Sequence, residues 1–199
     1  MKRDKKPKKE KIVRNDRVTF LHSLKFRMSL LTAGAVIIAA VIILALVIPE
    51  AKSTLLDQTK NYLHDVTVSN GATLEMMRKQ IKLKDPEALK DSFQNVGLDG
   101  IDSSYAYVVT ADGTMQYHPT ADKIGKPVEN AVIKDVVAQM AQGKRPEAKV
   151  ASYDFNGVQK YAAYYVDEAR SSVLVVSADQ SEILAPLNKV TYISIGASV

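Results

Sequence analysis

The sequence predicts an α+β domain behind an amino-terminal membrane helix, on three observations. Residues 30–48 are uncharged and apolar, and after Pro49 apolar side chains recur at helical spacing as far as Ile81. Beyond residue 104 the apolar period becomes that of strands, with turn signals at Ala111-Asp112-Gly113 and Asn156-Gly157. Hairpin-linked strands with helices before and between them are typical of an α+β fold on a five-stranded antiparallel sheet.

The apolar run is predicted to be a retained transmembrane helix over residues 28–48. The 19 apolar residues at 30–48, at about 1.5 Å each, come close to the ~30 Å hydrocarbon core of a bilayer. A buried helix and a cleaved signal peptide are the alternatives. A signal peptide usually has an apolar region of about 7 to 15 residues before a small-residue cleavage site, whereas this run is longer and ends in Ile48-Pro49-Glu50.

The distribution of charge predicts the orientation of this helix. Residues 1–27 hold 11 of the 27 Lys and Arg against three acids, whereas only Lys52 and Lys60 occur in the fifteen residues after Ile48. Basic residues favour the cytoplasmic side. We therefore expect a cytoplasmic tail (1–27) beside membrane lipid, and an extracytoplasmic domain at residues 50–188.

Several function classes are excluded or disfavoured by composition. Outside the tail the chain has 16 bases against 19 acids, so a nucleic-acid partner is not expected. It has no cysteine, and the three histidines are far apart in the sequence. No GxSxG, HExxH, P-loop or GxGxxG motif occurs. We expect no catalysis, no metal site and no cofactor.

The helices of the domain are predicted from periodicity and capping. A long helix follows the membrane segment to about Ile81, and Asn70-Gly71 is a candidate break. Asp85-Pro86 is typical of an N-cap followed by proline at the first helical position, and Gly97 ends the second helix. A third helix spans residues 129–141, and a fourth is capped by Asp179 or Ser181.

The five strands are predicted at residues 105–110, 114–118, 149–155, 158–166 and 172–178. At the carboxyl end, residues 191–199 (TYISIGASV) are uncharged and too short to cross a bilayer. They resemble the first turns of a second crossing, so residues 189–199 are predicted to begin a second transmembrane helix that this chain truncates.

The order of these segments resembles a known sensor family. The segments are "SLKFRMSLL", the hairpin "YAYVVTADGTMQYHP", the loop "TADKIGKPV", the hairpin "ASYDFNGVQKYAAYYV" and the strand "SSVLVVSADQSEI". Together, over residues 23–199, they resemble the single Cache (PAS-like) sensor domain and the first membrane helix of methyl-accepting chemotaxis proteins. The resemblance implies a ligand-binding module that signals through membrane helices to a cytoplasmic domain. The alternatives are the same module of a histidine kinase or diguanylate cyclase, and a membrane-anchored structural domain without ligand.

The resemblance also implies a set of pocket residues: Tyr105, Tyr107, Tyr117, His118, Lys126, Tyr153, Tyr161 and Asp179. Tyrosines offer a ring wall and a hydroxyl, Lys126 or a charged His118 would hold a carboxylate, and Asp179 would hold an amine. Each has a structural alternative: strand packing for the tyrosines, a strand end for His118, a solvated charge for Lys126 and an N-cap for Asp179.

The ligand is inferred from the same resemblance, and the assembly from the pattern of the long helix. Amino-acid-binding members carry an Arg-x-Trp-type motif near the loop, where this chain has "GKPVENAV". The expected ligand is therefore a small carboxylate or another small polar metabolite. The long helix over residues 52–81 has an imperfect heptad pattern along which a homodimer is expected.

Overall fold

The computed structural model describes residues 24–80 and 82–189. The chain divides into two compact units, Met1–Leu46 and Val47–Val199. Helix α1, Leu24–Lys79, contains an 18-residue window of mean hydropathy 3.0 without buried residues, so it is long and apolar enough to cross a membrane. Residues 1–23 of the expected tail, and residues 190–199 of the expected second crossing, lie outside the described residues.

The second unit is an α+β domain, which confirms the predicted fold class. Its further elements are α2 (Pro86–Phe93), β1 (Tyr105–Thr110), β2 (Met115–Tyr117), α3 (Ala131–Ala141), β3 (Lys149–Phe155), β4 (Val158–Val166), β5 (Ser172–Asp179) and α4 (Gln180–Ile183). The strands form one antiparallel sheet in the order β2-β1-β5-β4-β3. The two predicted hairpins, β1-β2 and β3-β4, thus lie at the two edges of the sheet, and β5 pairs with both between them.

The sheet is covered on both faces, because successive side chains of a strand point to opposite sides. One face packs against α1 and α2 and buries Leu63, Leu89, Val108 and Val176, among others. The other face packs against α3 and buries Val109, Ile133 and Val175. The candidate pocket lies on this second face, where Tyr105 and Tyr107 of β1 and Tyr153 of β3 line it.

A β-bulge in β2 decides which side chains reach which face. Val108 pairs with Tyr117 but Val109 pairs with Met115, so Gln116 is an extra residue. Met115 therefore packs on the α3 face and Tyr117 on the α1 face, although they are two residues apart. Strand β2 is shorter than the predicted 114–118 segment.

Two local predictions about helices are settled by contacts. Helix α1 runs unbroken through Asn70-Gly71, where Asn70 Nδ2 donates to the Val66 carbonyl and Gly71 is buried against the Tyr165 ring. Helix α3 begins at Ala131 and not at residue 129, because Asn130 is its N-cap and accepts the Val132 N–H at 2.9 Å.

Candidate functional site

A cavity of about 240 Å³ lies on the α3 face, between β1, β3 and the loop that leads from β2 to α3. Its walls are Tyr105, Tyr107, Met115, His118, Thr120, Lys123, Val128, Glu129, Asn130, Tyr153 and Phe155. Five of these residues are aromatic or imidazole rings, and the polar groups lie among them. Such a lining is typical of small-molecule sites.

Three of the rings form one packed wall. The His118 ring lies 5.1 Å from that of Tyr105, edge on, and 5.8 Å from that of Tyr107, and the two tyrosine rings are 6.1 Å apart. Offset and edge-on ring contacts at these distances are favourable. The position of His118 is therefore fixed by both tyrosines.

His118 presents a hydrogen-bond donor at neutral pH. Its Nδ1 accepts the Thr120 N–H at 2.9 Å, which assigns the ring proton to Nε2. Burial lowers the pKa of His118 below its ordinary value, with a smaller lowering from Lys123 that Glu129 opposes. A neutral imidazole with Nε2–H is thus favoured over the cation.

Tyr107 and Tyr153 have hydroxyls whose roles the neighbouring bonds fix. Asn130 Nδ2 donates to the Tyr107 hydroxyl oxygen at 3.1 Å, so the Tyr107 O–H is left to donate. The Ser177 hydroxyl donates to the Tyr161 carbonyl, so its oxygen accepts the Tyr153 O–H at 3.0 Å. Burial raises the pKa of both phenols, that of Tyr107 most strongly, and both remain neutral.

Two lysine–carboxylate pairs flank the rings. Lys123 Nζ is 2.5 Å from Glu129 Oε2 and 5.8 Å from the centre of the Phe155 ring. On the sheet, Lys160 pairs with Asp179 across β4 and β5, and its Nζ is 5.8 Å from the centre of the Tyr105 ring. The pairs balance their charges, so the surroundings of the cavity carry no net charge from these four groups.

The structure brings together four of the eight residues predicted from the resemblance: Tyr105, Tyr107, His118 and Tyr153 line the cavity. Tyr117 and Tyr161 are buried on the α1 face, and Lys126 is exposed in the loop. Asp179 precedes α4 but makes no side-chain cap bond, and its carboxylate binds Lys160 instead. The ligand contacts of all eight residues stay predictions.

Other lining residues were not foreseen. Phe155 is two residues after Tyr153 on the same strand, and period-two alternation could have placed it on this wall. Lys123, Glu129 and Asn130 belong to the irregular loop before α3, where no periodicity indicates direction. Within the described residues, no group of three or more His, Asp or Glu side chains is placed to hold a metal ion.

A second cavity of about 400 Å³ lies on the other side of the loop, against α2. Pro119, Ala121 and Ile124 line this cavity, Thr120 and Lys123 line the first, and His118 contacts both. The loop is therefore a wall between two cavities.

No family model matches the chain, and no curated protein matches it. The solved structures to which the chain is similar include the ligand-binding domain of Mlp24 with asparagine, at 18% identity, with 51% of this chain and 38% of that chain covered and a TM-score of 0.38. They also include a Cache chemosensory domain studied for carboxylic acid recognition, at 13% identity, with 65% and 97% covered and a TM-score of 0.43. A methyl-accepting chemotaxis protein from Vibrio parahaemolyticus RIMD 2210633 is similar at 14% identity, with 68% and 98% covered and a TM-score of 0.46. The chain thus spans less than half the length of the Mlp24 domain. Two of these structures are named as a Cache domain and a methyl-accepting chemotaxis protein, the same classes that the sequence resembles.

Proposed function

We propose that the second unit is an extracytoplasmic sensor module that binds a small polar molecule in the ring-lined cavity. One observation carries the proposal: hydrogen-bonding residues line an aromatic cavity, and bonds to their neighbours already set which of their groups can donate and which can accept. Tyr107 O–H and His118 Nε2–H are donors, and the Tyr153 oxygen is an acceptor. Pre-oriented groups of this kind reduce the ordering cost of binding.

The size of the cavity limits the ligand. At about 240 Å³ it is smaller than the roughly 300–1,000 Å³ usual for drug-sized ligands. A metabolite of a few carbon atoms with one or two polar groups fits this volume. The small carboxylate expected from the sequence belongs to this class.

We place the output of the module in the packing of the sheet on α1. The strand β1 carries pocket residue Tyr107 on one face and core residue Val108 on the other, and Val108 lies in the same cluster as Leu63 and Leu74 of α1. A ligand that favours one packing of β1 would bias this contact, and a coupling of about 1–3 kcal/mol is typical. A cytoplasmic signalling domain would receive the bias through the membrane helix.

A chemoreceptor is the host protein that we propose, with a sensor kinase or diguanylate cyclase as the alternative. The "SLKFRMSLL" segment at the entry into the membrane helix favours the chemoreceptor. Pairing of two copies along α1 and contact of the basic tail with lipid belong to the same proposal. The expected topology is testable because the chain lacks cysteine: in intact cells, Lys144→Cys should react with a membrane-impermeant maleimide, and protection until lysis would contradict the extracytoplasmic placement.

Thermal unfolding of the detergent-solubilised full chain, with a panel of small carboxylates and uncharged polar metabolites, tests the binding. A ligand at 100 times its Kd adds about 2.7 kcal/mol, which is about 5–10 °C in Tm for a domain of this size. Thr120→Trp should fill the ring-lined cavity and remove the shift. Ala121→Trp is the matched control, because Ala121 lines the second cavity.

Two outcomes would contradict the proposal. If no compound raises Tm, the hypothesis of a ligand-free structural domain is favoured. If Ala121→Trp and not Thr120→Trp removes the shift, the ligand binds on the α2 side of the loop.

A further inference from the structure

The pair of Lys123 and Glu129 crosses the mouth of the ring-lined cavity. Lys123 belongs to the loop after β2, Glu129 directly precedes the N-cap of α3, and both side chains line the cavity. Their contact at 2.5 Å therefore joins the loop to the start of the helix beside the position that a ligand would occupy.

Lys123 is, among the described residues, the one lysine whose side chain lines this cavity. Lys126 is exposed in the same loop, and Lys160 binds Asp179 outside the lining. His118, whose Nε2–H is a donor, and Thr120 line the same cavity, so an anion at Lys123 has further uncharged polar residues beside it.

The anion at Lys123 in this structure is the chain's own carboxylate. The Lys123 and Glu129 side chains are 36% and 55% exposed, whereas those of Lys160 and Asp179 are 12% and 23% exposed. Exposed pairs contribute little stability, so the pair at the mouth opens at low cost. The bond from Lys123 lowers the pKa of Glu129, which keeps this carboxylate ionised at neutral pH.

On the basis of the proposed function, we infer that a ligand carboxylate replaces the Glu129 carboxylate at the Lys123 ammonium. Glu129 is then an internal competitor that lowers the affinity of the pocket, and Lys123 determines its preference for anions. The exchange substitutes one carboxylate for another and leaves the lysine paired. A ligand ammonium would instead have to displace Lys123 from Glu129 and leave the lysine charge without its partner.

Three probes of nearly equal shape test the charge preference: propionate, propionamide and n-propylammonium. Their Kd values for the detergent-solubilised full chain can be measured by NMR titration. We expect propionate to bind the wild type most tightly. Glu129→Gln should bind propionate about two- to fivefold more tightly, because the displaced pair is exposed. Lys123→Met should bind it at least about tenfold more weakly, because a charge-assisted hydrogen bond is lost.

Matched variants separate this exchange from a general change of charge. Asp122→Asn removes an acid, and Lys126→Met a base, from the same exposed loop. Neither side chain lines the cavity, so each should change the propionate Kd by less than about twofold at physiological salt. Propionamide should bind the wild type, Glu129→Gln and Lys123→Met equally.

The inference is overturned if Lys123→Met keeps the propionate affinity, if Asp122→Asn matches the gain of Glu129→Gln, or if n-propylammonium binds best. It is also overturned if the wild type and Glu129→Gln bind none of the three probes. The proposed function fails separately, when no compound of the metabolite panel gives a Tm shift that Thr120→Trp removes.

Discussion

Asn130 links the fold to the pocket, and its substitution by alanine has a calculable effect. The side chain is only 5% exposed and makes two hydrogen bonds. Its Oδ1 accepts the Val132 N–H at 2.9 Å and so caps α3, while its Nδ2 donates to the Tyr107 hydroxyl at 3.1 Å. Asn130→Ala removes both bonds at once.

The expected cost is about 2 kcal/mol. Loss of an N-cap side chain costs about 0.5–2 kcal/mol, and a neutral hydrogen bond contributes about 0.5–1.5 kcal/mol. Asn130→Ser should cost about 1 kcal/mol, because serine still caps the helix but does not reach the donor position of the amide. The free energy of unfolding of the full chain in detergent, from urea titration followed by circular dichroism, measures both.

A double-mutant cycle isolates the bond to the ring. Tyr107→Phe removes the hydroxyl, so Asn130→Ala should cost about 1 kcal/mol less in the Tyr107→Phe background than in the wild type. The reasoning is refuted if Asn130→Ala costs less than about 0.5 kcal/mol, or if the serine variant is as unstable as the alanine variant.

Three further predictions concern stability. Because the pKa of His118 is lowered, the unfolded chain binds more protons than the folded chain between that pKa and about 6.5. Tm should therefore fall as the pH is lowered from about 6.5 through this window, and an unchanged slope of Tm against pH in His118→Gln would contradict the prediction. Gly71→Ala would place Cβ 2.7 Å from the Tyr165 ring. The cost of overpacking, about 1–3 kcal/mol, should exceed the gain in helix stability from alanine, about 0.5–1 kcal/mol. A urea midpoint at or above that of the wild type would be inconsistent with this contact. Glu75→Ala removes the buried acceptor of the Glu168 N–H and the partner of Arg78. The same urea titration should show a free energy of unfolding lower by about 1.5–3 kcal/mol. A decrease below about 0.5 kcal/mol would mean that water replaces the carboxylate.

The sheet could be predicted from the sequence because its signals are local. The Asn156-Gly157 turn has positive φ at both residues, 54° and 81°, as a two-residue hairpin of this kind requires. Its register pairs Tyr153 with Lys160 and Ser152 with Tyr161. Alternation along these strands then puts Tyr153 and Tyr161 on opposite faces, a consequence that the sequence already contained.

The face of the sheet on which each β2 residue lies could not be derived in the same way. Tyr117 and His118 are adjacent, so they face opposite sides, but the bulge at Gln116 decides which one faces the pocket. Gln116 Nε2 donates to the Leu83 carbonyl, 33 residues away in the sequence. Long-range contacts of this type leave no periodic pattern, and the contact of Gly71 with Tyr165 is another example.

The loop before α3 was equally unpredictable. Lys123 ends a short 3-10 turn, Ala121–Lys123, and Lys126 lies three residues after it. Their different environments follow from two short 3-10 turn bonds, from Lys123 N–H to the Thr120 carbonyl and from Ile124 N–H to the Ala121 carbonyl, at 3.0 Å each. The sequence indicated that a lysine of this loop lies near the pocket, and the turn places Lys123, not Lys126, in the lining.

NMR of selectively labelled tyrosine rings in the full chain would locate a bound ligand most directly, with the compound that raises Tm most as the titrant. Tyr105, Tyr107 and Tyr153 line the cavity, whereas Tyr117 and Tyr161 are buried on the other face of the sheet. We expect saturable shifts at the three lining rings that exceed those at the two others. Shifts confined to Tyr117 and Tyr161, or none at any of the five, would contradict a ligand site between β1, β3 and the loop.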